Sequence, residues 1–587
     1  MKSSIKKSIM STTLLASAAL TLAACGKPAS KKVEEKFPDK TPVKAIKHGG
    51  TLKVAEETDT PFTGIFANEL SNTAIDQNIA SPGNENLFDT DDNYKITDKG
   101  PATQRIDKKN NTITITVKKG VKWSDGKQVV AKDLEYPYEI LANKQTKSQN
   151  YSNLFENIEG MKAYHEGQAK TISGIEMPDG ENGRKLVLHV KELKPGMEYS
   201  GNNYIWEKAE PYHYLKDVPF AKLESSDKIR KNPMYFGAFK MKKLVRGESI
   251  TWVPNKYYWR GKPKLDKIVV SVLATNSASQ AIKSKSFDVT QVINSQWEQV
   301  KKTKGVNFVA QIPLYYNFIG FKVGKWDAKK DRNVMDPNAK MNNKALRQAI
   351  GYAMNVDKVY DRYTHGLSFR VPTLIPKEYG DYFNKDAKHY SYNLKKANDL
   401  LDKAGYKKKG KWRVQPNGKP LTIRYMARVT DDSAQSTIQQ NYLQQWHKIG
   451  LNVKLIGNRL TEFNTYVNNL EGDSHDFDMC QIGWHLDSEP SPSSLYSEDS
   501  PKNYTRFVTK KNNQLLKQMD SKKAFDHKYR VDKFHEWQEY MNEEAYAIPE
   551  SGSYTVYAVN NKVSGYTLKP SETNNGRQLW YKVGFVK

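Results

Sequence analysis

Between Leu421 and Ile482 the spacing of apolar residues changes period several times, and that succession leaves few folds open. Leu421, Ile423 and Tyr425 alternate as a strand does. Ile438, Tyr442, Trp446 and Ile449 then recur at helical spacing and stop at Gly450. Leu451, Val453 and Leu455 alternate again. A strand, a helix and a second strand in so short a span make a βαβ unit, whose strands run parallel. A further helix near 461–470 and a strand at 477–482 extend the unit into an α/β lobe. In such lobes ligands sit off the carboxyl ends of the strands.

Upstream, Leu346, Ile350, Ala353 and Met354 share one face of a helix over 343–355, and a second helix is capped by Asn393 and stops at Gly405. The first half reads differently. Ile113 to Val117 alternate as a strand, Asp125-Gly126 makes a tight turn, and a helix follows near 131–141. Further strands are expected at 186–190, 249–253 and 267–272. The whole is mixed α/β with α+β character, and 587 residues are too many for one core.

The first 25 residues are an address. Lys2, Lys6 and Lys7 precede an apolar, small-residue stretch from Ile9 to Ala24, which closes in Leu22-Ala23-Ala24-Cys25-Gly26. That pattern resembles bacterial lipoprotein leaders. The resemblance implies cleavage before Cys25, diacylation of its sulfur and tethering to the outer face of a membrane, two acyl chains sufficing for stable anchoring. Residues 26–47, rich in Lys, Pro, Ser and Glu, read as a flexible tether. The second cysteine, Cys480, lies in an apolar run and reads as a small buried hydrophobe. The formal charge of +27 is spread as Lys pairs along the chain, the pattern of a solvated surface and not of a nucleic-acid-binding arm.

Several segments line up in order with one family. They are Gly49-Gly50-Thr51-Leu52; Gly120 to Gly126 with Asp133 after it; Asn232-Pro233 with Gly237-Ala238-Phe239-Lys240; Asn255 to Pro263; Asn343 to Ile350; Ala404-Gly405-Tyr406; and Phe477-Asp478-Met479 leading to Gly483-Trp484. Together they resemble the family 5 solute-binding proteins of bacterial ABC importers, over nearly the whole mature chain. The resemblance implies a two-lobed clamshell with an inserted domain. One lobe would comprise 48–90, 225–310 and 553–587, the insert 91–224, and the second lobe 311–552, after the leader at 1–25 and the tether at 26–47.

The implied function is capture of oligopeptides for delivery to the permease subunits of an importer, by a monomer that uses no cofactor, metal or nucleic acid. A receptor for many peptides gains affinity from what all peptides share, the backbone and the charged ends. In oligopeptide-binding members an aspartate shortly after the Gly-Trp pair meets the ligand's ammonium, and Asp487 matches it. Gly483, Trp484 and His485 match the backbone that pairs with the peptide. From the residues alone, Asp487 reads equally as a cap of the turn at Ser488-Glu489-Pro490. His485 has no partner at ligand spacing and is expected as an ordinary imidazole. Tyr257, Tyr258 and Trp259 are assigned to packing, and 62–70 to the opposing wall of the cleft.

Three alternatives remain open, one of them a surface protein that binds polyanions, suggested by the charge of +27. The same fold could carry a dipeptide, a signalling peptide, a metal complex or a sugar. A surface hydrolase is the third, but the chain has no Gly-x-Ser-x-Gly elbow and no His-Glu-x-x-His helix.

Overall fold

The computed structural model describes residues 37–587 apart from Asn72 and Asp431, so the leader and Cys25 lie outside the described residues. The expected βαβ unit is present. Thr422–Met426 runs parallel to Asn452–Leu455 and to Met479–His485, with Ala434–Lys448 and Phe463–Glu471 as the intervening helices. The six-stranded sheet that holds them also contains Tyr315–Phe321, Ala547–Ser553 and Ser368–Arg370, all antiparallel to their neighbours. It is therefore mixed, and its parallel part is one edge. The helices Lys344–Ala353 and Leu394–Lys403 pack on the same core; Asn393 caps the second as the sequence marks it, and Asn343 proves to cap the first.

A second sheet has seven strands in the order Val306–Gln311, Thr555–Asn560, Val289–Gln291, Thr51–Glu57, Lys267–Leu273, Ser249–Pro254 and Phe239–Val245. Thr51–Glu57 is parallel to both its neighbours and the other pairs are antiparallel. A third, four-stranded antiparallel sheet takes Ala102–Asp107, Thr112–Val117, Lys185–His189 and Ile175–Glu176. Together with the helix Ala131–Ala142 it encloses a core of its own. The chain passes between the six- and seven-stranded sheets twice, from Gln311 to Tyr315 and from Ser553 to Thr555.

The motifs that carry the family resemblance prove to be structural. Asp133 receives the indole N–H of Trp123 (2.8 Å) and the backbone N–H groups of Val130 (3.0 Å) and Tyr212 (2.9 Å), so one carboxylate ties the turn, the helix start and a distant loop together. Asn255 donates to the Gly237 carbonyl (3.0 Å). Gly237 must be glycine, because a Cβ there would stand 2.3 Å from the Gly83 oxygen. Arg260 grips Asp89 with both terminal nitrogens (2.8 and 2.9 Å) and reaches Glu85 (3.0 Å), all three nearly buried. Tyr258 is buried, and Trp259 packs against two cores with the Arg260 guanidinium 4.3 Å from its ring centre.

One expectation is corrected. Residues 37–47 are not tether but part of the folded body: Phe37 packs edge-on against Trp297 (5.4 Å), Lys40 pairs with Glu572 (2.8 Å), and Ile46–Lys47 forms a strand against Gly584–Val586. The composition of this stretch hides these partners because they come from 250 to 540 residues away, beyond any local period.

Replacing Arg260 with Ala leaves two carboxylates buried without their cation, a loss of about 3–5 kcal/mol. Urea unfolding followed by tryptophan fluorescence should show a clearly lower midpoint for Arg260→Ala, whereas Lys267→Ala at the exposed start of its strand should barely move it.

Candidate functional site

The strand Met479–His485 has two different edges. Along one it pairs residue for residue with Tyr315–Phe321, from Met479 opposite Phe321 to His485 opposite Tyr315. Along the other it pairs with Thr422–Met426 only at Met479 and Cys480, and the carbonyl of Gln481 is taken by the Tyr466 hydroxyl (2.7 Å). Beyond that point no described strand covers the edge. Alternate residues of a strand direct their N–H and C=O to opposite edges, so the stretch from Gly483 to His485 has backbone groups on an edge that no described strand pairs with. Gly483 lies under the side chains of Tyr315 and Asn317, where a Cβ would collide with the Tyr315 oxygen at 2.0 Å. Trp484 is stacked on Tyr504 (5.6 Å, 19°), and His485 lies 4.7 Å from the Tyr315 ring. Burial, with the positive charge of Arg428 nearby, lowers the His485 pKa. Among the described residues no three metal-ligating side chains converge anywhere.

Asp487 follows two residues later. Its side chain is exposed to solvent, and the protein groups gathered around it push its pKa up to about 6. Lys502 and the Asn203 amide oppose that shift. The carboxylate accepts a hydrogen bond from Asn203 Nδ2, and the Asp487 carbonyl accepts one from the Tyr379 hydroxyl. It caps no backbone N–H among the described residues and makes no ion pair with them. What the fold leaves at this spot is an accessible carboxylate with one neutral donor, beside an uncovered strand edge.

Asn203 reaches Asp487 from the region 91–224, at the tip of a built turn. Glu207 accepts from the Ser200 hydroxyl and the Gly201 N–H (2.6 Å), and Asn202 Oδ1 accepts from the N–H groups of Tyr204 (2.8 Å) and Ile205 (3.1 Å). Asn203 itself has φ of 59°, a left-handed conformation that asparagine tolerates. The next residue after Asp487, Ser488, meets Asn575 from the C-terminal segment (3.4 Å). Three remote stretches of chain thus converge around Asp487.

Comparisons with known proteins identify the family. The profile of the bacterial extracellular solute-binding proteins, family 5, matches residues 99–506. The chain belongs to that family. Membership makes it a solute-binding protein and not a catalyst. The oligopeptide-binding protein OppA of Lactococcus lactis subsp. lactis is 40% identical over 534 residues, 90% of this chain and 88% of the relative. The structure of lactococcal OppA complexed with an endogenous peptide in the closed conformation superposes with a TM-score of 0.82 at 40% identity, covering 91% of this chain and all of that one. AppA of Bacillus subtilis in complex with a nonapeptide shares the fold, with a TM-score of 0.71 at 21% identity over 92% of this chain and all of the other.

In this family 5 chain the loop that carries Asp487 is held from behind. Glu489 is buried against the Arg530 guanidinium, which also approaches Asp520 (3.5 Å) and donates to the Met519 carbonyl (3.0 Å). Gly196 lies flat on Glu489, where a Cβ would come within 2.6 Å of its side chain. Sequence reasoning did not find Asn203, Tyr379 or Arg530. Gly201-Asn202-Asn203 announces a turn, but nothing local says which carboxylate it faces. The stretch 62–70, expected as the opposing wall, mostly fills core: Phe62, Phe66, Ala67 and Leu70 are buried, and buried Glu69 receives the Trp206 indole N–H.

The pKa shift of Asp487 carries a definite sign. Its native pKa lies above the unfolded value of about 3.9, so ionisation weakens the fold. The penalty is absent below about pH 4 and complete above about pH 6. Asp487→Asn should therefore raise the unfolding temperature of the ligand-free protein at pH 7.5, with the gain fading as pH falls towards 4, in differential scanning fluorimetry across that range.

Proposed function

We propose that the chain is the oligopeptide receptor of an ABC importer, and that it holds its guest extended between the two large sheets. Asp487 takes the leading ammonium, and the free edge from Gly483 to His485 pairs with the guest backbone. The observation that carries this reading is the accessible carboxylate of Asp487, with a raised pKa and no ion pair to a described residue, standing next to an uncovered strand edge. An ammonium is the group that would relieve such a carboxylate, and an extended chain is the partner that such an edge accepts. The 40% identity to lactococcal OppA supports the same reading. The two crossings, at 311–315 and 553–555, would act as the hinge on which the lobes close. The lobes would follow the boundaries expected from the sequence, with the insert at 91–224 and residues 37–47 added to the first lobe. Cys25, diacylated after removal of the leader, would anchor the receptor to the outer face of the membrane of a Gram-positive cell, where it meets its permease.

Calorimetric titration of one peptide in free and N-acetylated forms tests the anchor. Losing a desolvated charge pair costs about 2 kcal/mol or more, roughly thirtyfold in affinity. Acetylation should cause a loss of that size, and Asp487→Asn a similar one. Equal affinity for both forms would sink the anchor. Binding should also weaken as pH falls below about 6, because protonation of Asp487 then competes with the ammonium. Cys25→Ser should leave the protein unlabelled by radioactive fatty acid and move it from the membrane fraction to the medium.

A further inference from the structure

The strand Thr422–Met426 leaves its neighbour after Met426, and its continuation pairs elsewhere. The Thr461 N–H donates to the Ala427 carbonyl (2.8 Å), the Val429 N–H donates to the Thr461 carbonyl (2.9 Å), and Arg428 bridges Thr461 in parallel register. This departure is what uncovers the edge from Gly483 to His485. It also brings unusual side chains together. Four large apolar side chains are exposed among the described residues, and two of them, Val429 and Phe463, stand on the two segments joined here. The guanidinium carbon of Arg428 lies 5.6 Å from the Phe463 ring centre.

Arg428 reaches back across the place that its own segment vacates. It is half-buried and hydrogen-bonds the Tyr315 hydroxyl, the group under which Gly483 lies. The cation is thereby held on one face of the strand, over Gly483. No described carboxylate forms an ion pair with it. Glu462, next to Phe463, is spent on the start of its helix, where it accepts from the N–H groups of Asn464 (3.0 Å) and Thr465 (3.0 Å). His485 adds no second cation near pH 7, because desolvation and the Arg428 charge hold its pKa below the usual imidazole value.

A guest paired with the free edge presents alternate side chains to each face of the sheet. Gly483 stands four residues before Asp487. A chain whose ammonium lies at Asp487, rising by about 3.3 Å per residue, therefore carries its fourth or fifth side chain over Gly483. We infer that Arg428, backed by Phe463, forms a side-chain subsite that selects guests with an aspartate or glutamate at that place, an inference that rests on the anchor at Asp487 proposed above. A guest carboxylate there makes charge-assisted hydrogen bonds to the guanidinium, and the methylenes of a glutamate cover the exposed Phe463 ring. A lysine at the same place would set like charges together. A terminal carboxylate has the same chemistry, but it lies in line with the guest backbone and not on the face where Arg428 is held.

Calorimetric titration of the mature protein with C-terminally amidated alanine heptapeptides tests this, with a glutamate moved from the third to the sixth position and a glutamine counterpart for each. Glutamate should bind about tenfold tighter than glutamine at the fourth or fifth position and show no such advantage at the adjacent ones. The advantage should vanish in Arg428→Gln and become a preference for lysine in Arg428→Glu, with circular dichroism checking that both variants fold. Equal affinities for glutamate and glutamine throughout the scan, or an advantage that survives in Arg428→Gln, would overturn the subsite. So would a flat scan together with a gain from the free carboxyl end that Arg428→Gln abolishes, since the cation would then meet the guest's terminus. N-acetylation of the all-alanine peptide keeps the two readings apart: a loss on acetylation with a flat scan leaves the anchor standing and removes only the subsite.

Discussion

A carboxylate with a raised pKa and no cation of the protein's own beside it is a ready acceptor for a positively charged group, and the residues around Asp487 hold one in a fixed place. A flexible loop would let the side chain swing away. Here the Asp487 carbonyl is pinned by Tyr379, the next-but-one residue Glu489 is buried against Arg530, and Asn203 reaches the carboxylate from a separate region. Glu489 itself has its pKa pushed up to about 7 by burial, so the supporting pair is held at some expense of stability. The strain of an unpaired charge is the reservoir from which affinity for an ammonium would be drawn.

The second requirement is an edge that stays open. A sheet whose edge is exposed invites aggregation, and proteins ordinarily cover or twist such edges away. In the six-stranded sheet, Thr422–Met426 protects the start of Met479–His485 and then departs, leaving the carboxyl end uncovered near Arg428 and Tyr315. The uncovered stretch is short and lies against folded protein, which limits pairing with the wrong partner. It also sits where the parallel strands end, the place where ligands collect in α/β sheets.

Much of the scaffold was legible in the sequence, because its elements are set by local periods. The strands and helices from Thr422 to His485, the helix Ala131–Ala142 and the asparagine cap Asn393 follow from spacing and capping chemistry alone. The helix His527–Glu544 was missed, since it buries Arg530, Gln538 and Asn542 among its apolar residues and so shows little amphipathic contrast. The strand Ala547–Ser553 was missed for a related reason: it is buried on both faces, so no alternation marks it. The residues that betray the family, such as Asp133, Asn255 and Arg260, hold the scaffold together, whereas Asn203 and Tyr379 gain their meaning only from partners far along the chain. A site assembled from remote segments leaves little local trace.

The central claim is that Asp487 meets a guest ammonium directly, and its own titration reports on that contact. Carbon-13 labelling of aspartate with assignment through Asp487→Asn would follow its carboxyl signal against pH, without and with bound peptide. A free-state pKa near 6 that drops below 4 when a peptide with a free amino terminus binds is the result this account requires. A pKa that stays where it was, or rises, on binding would contradict it.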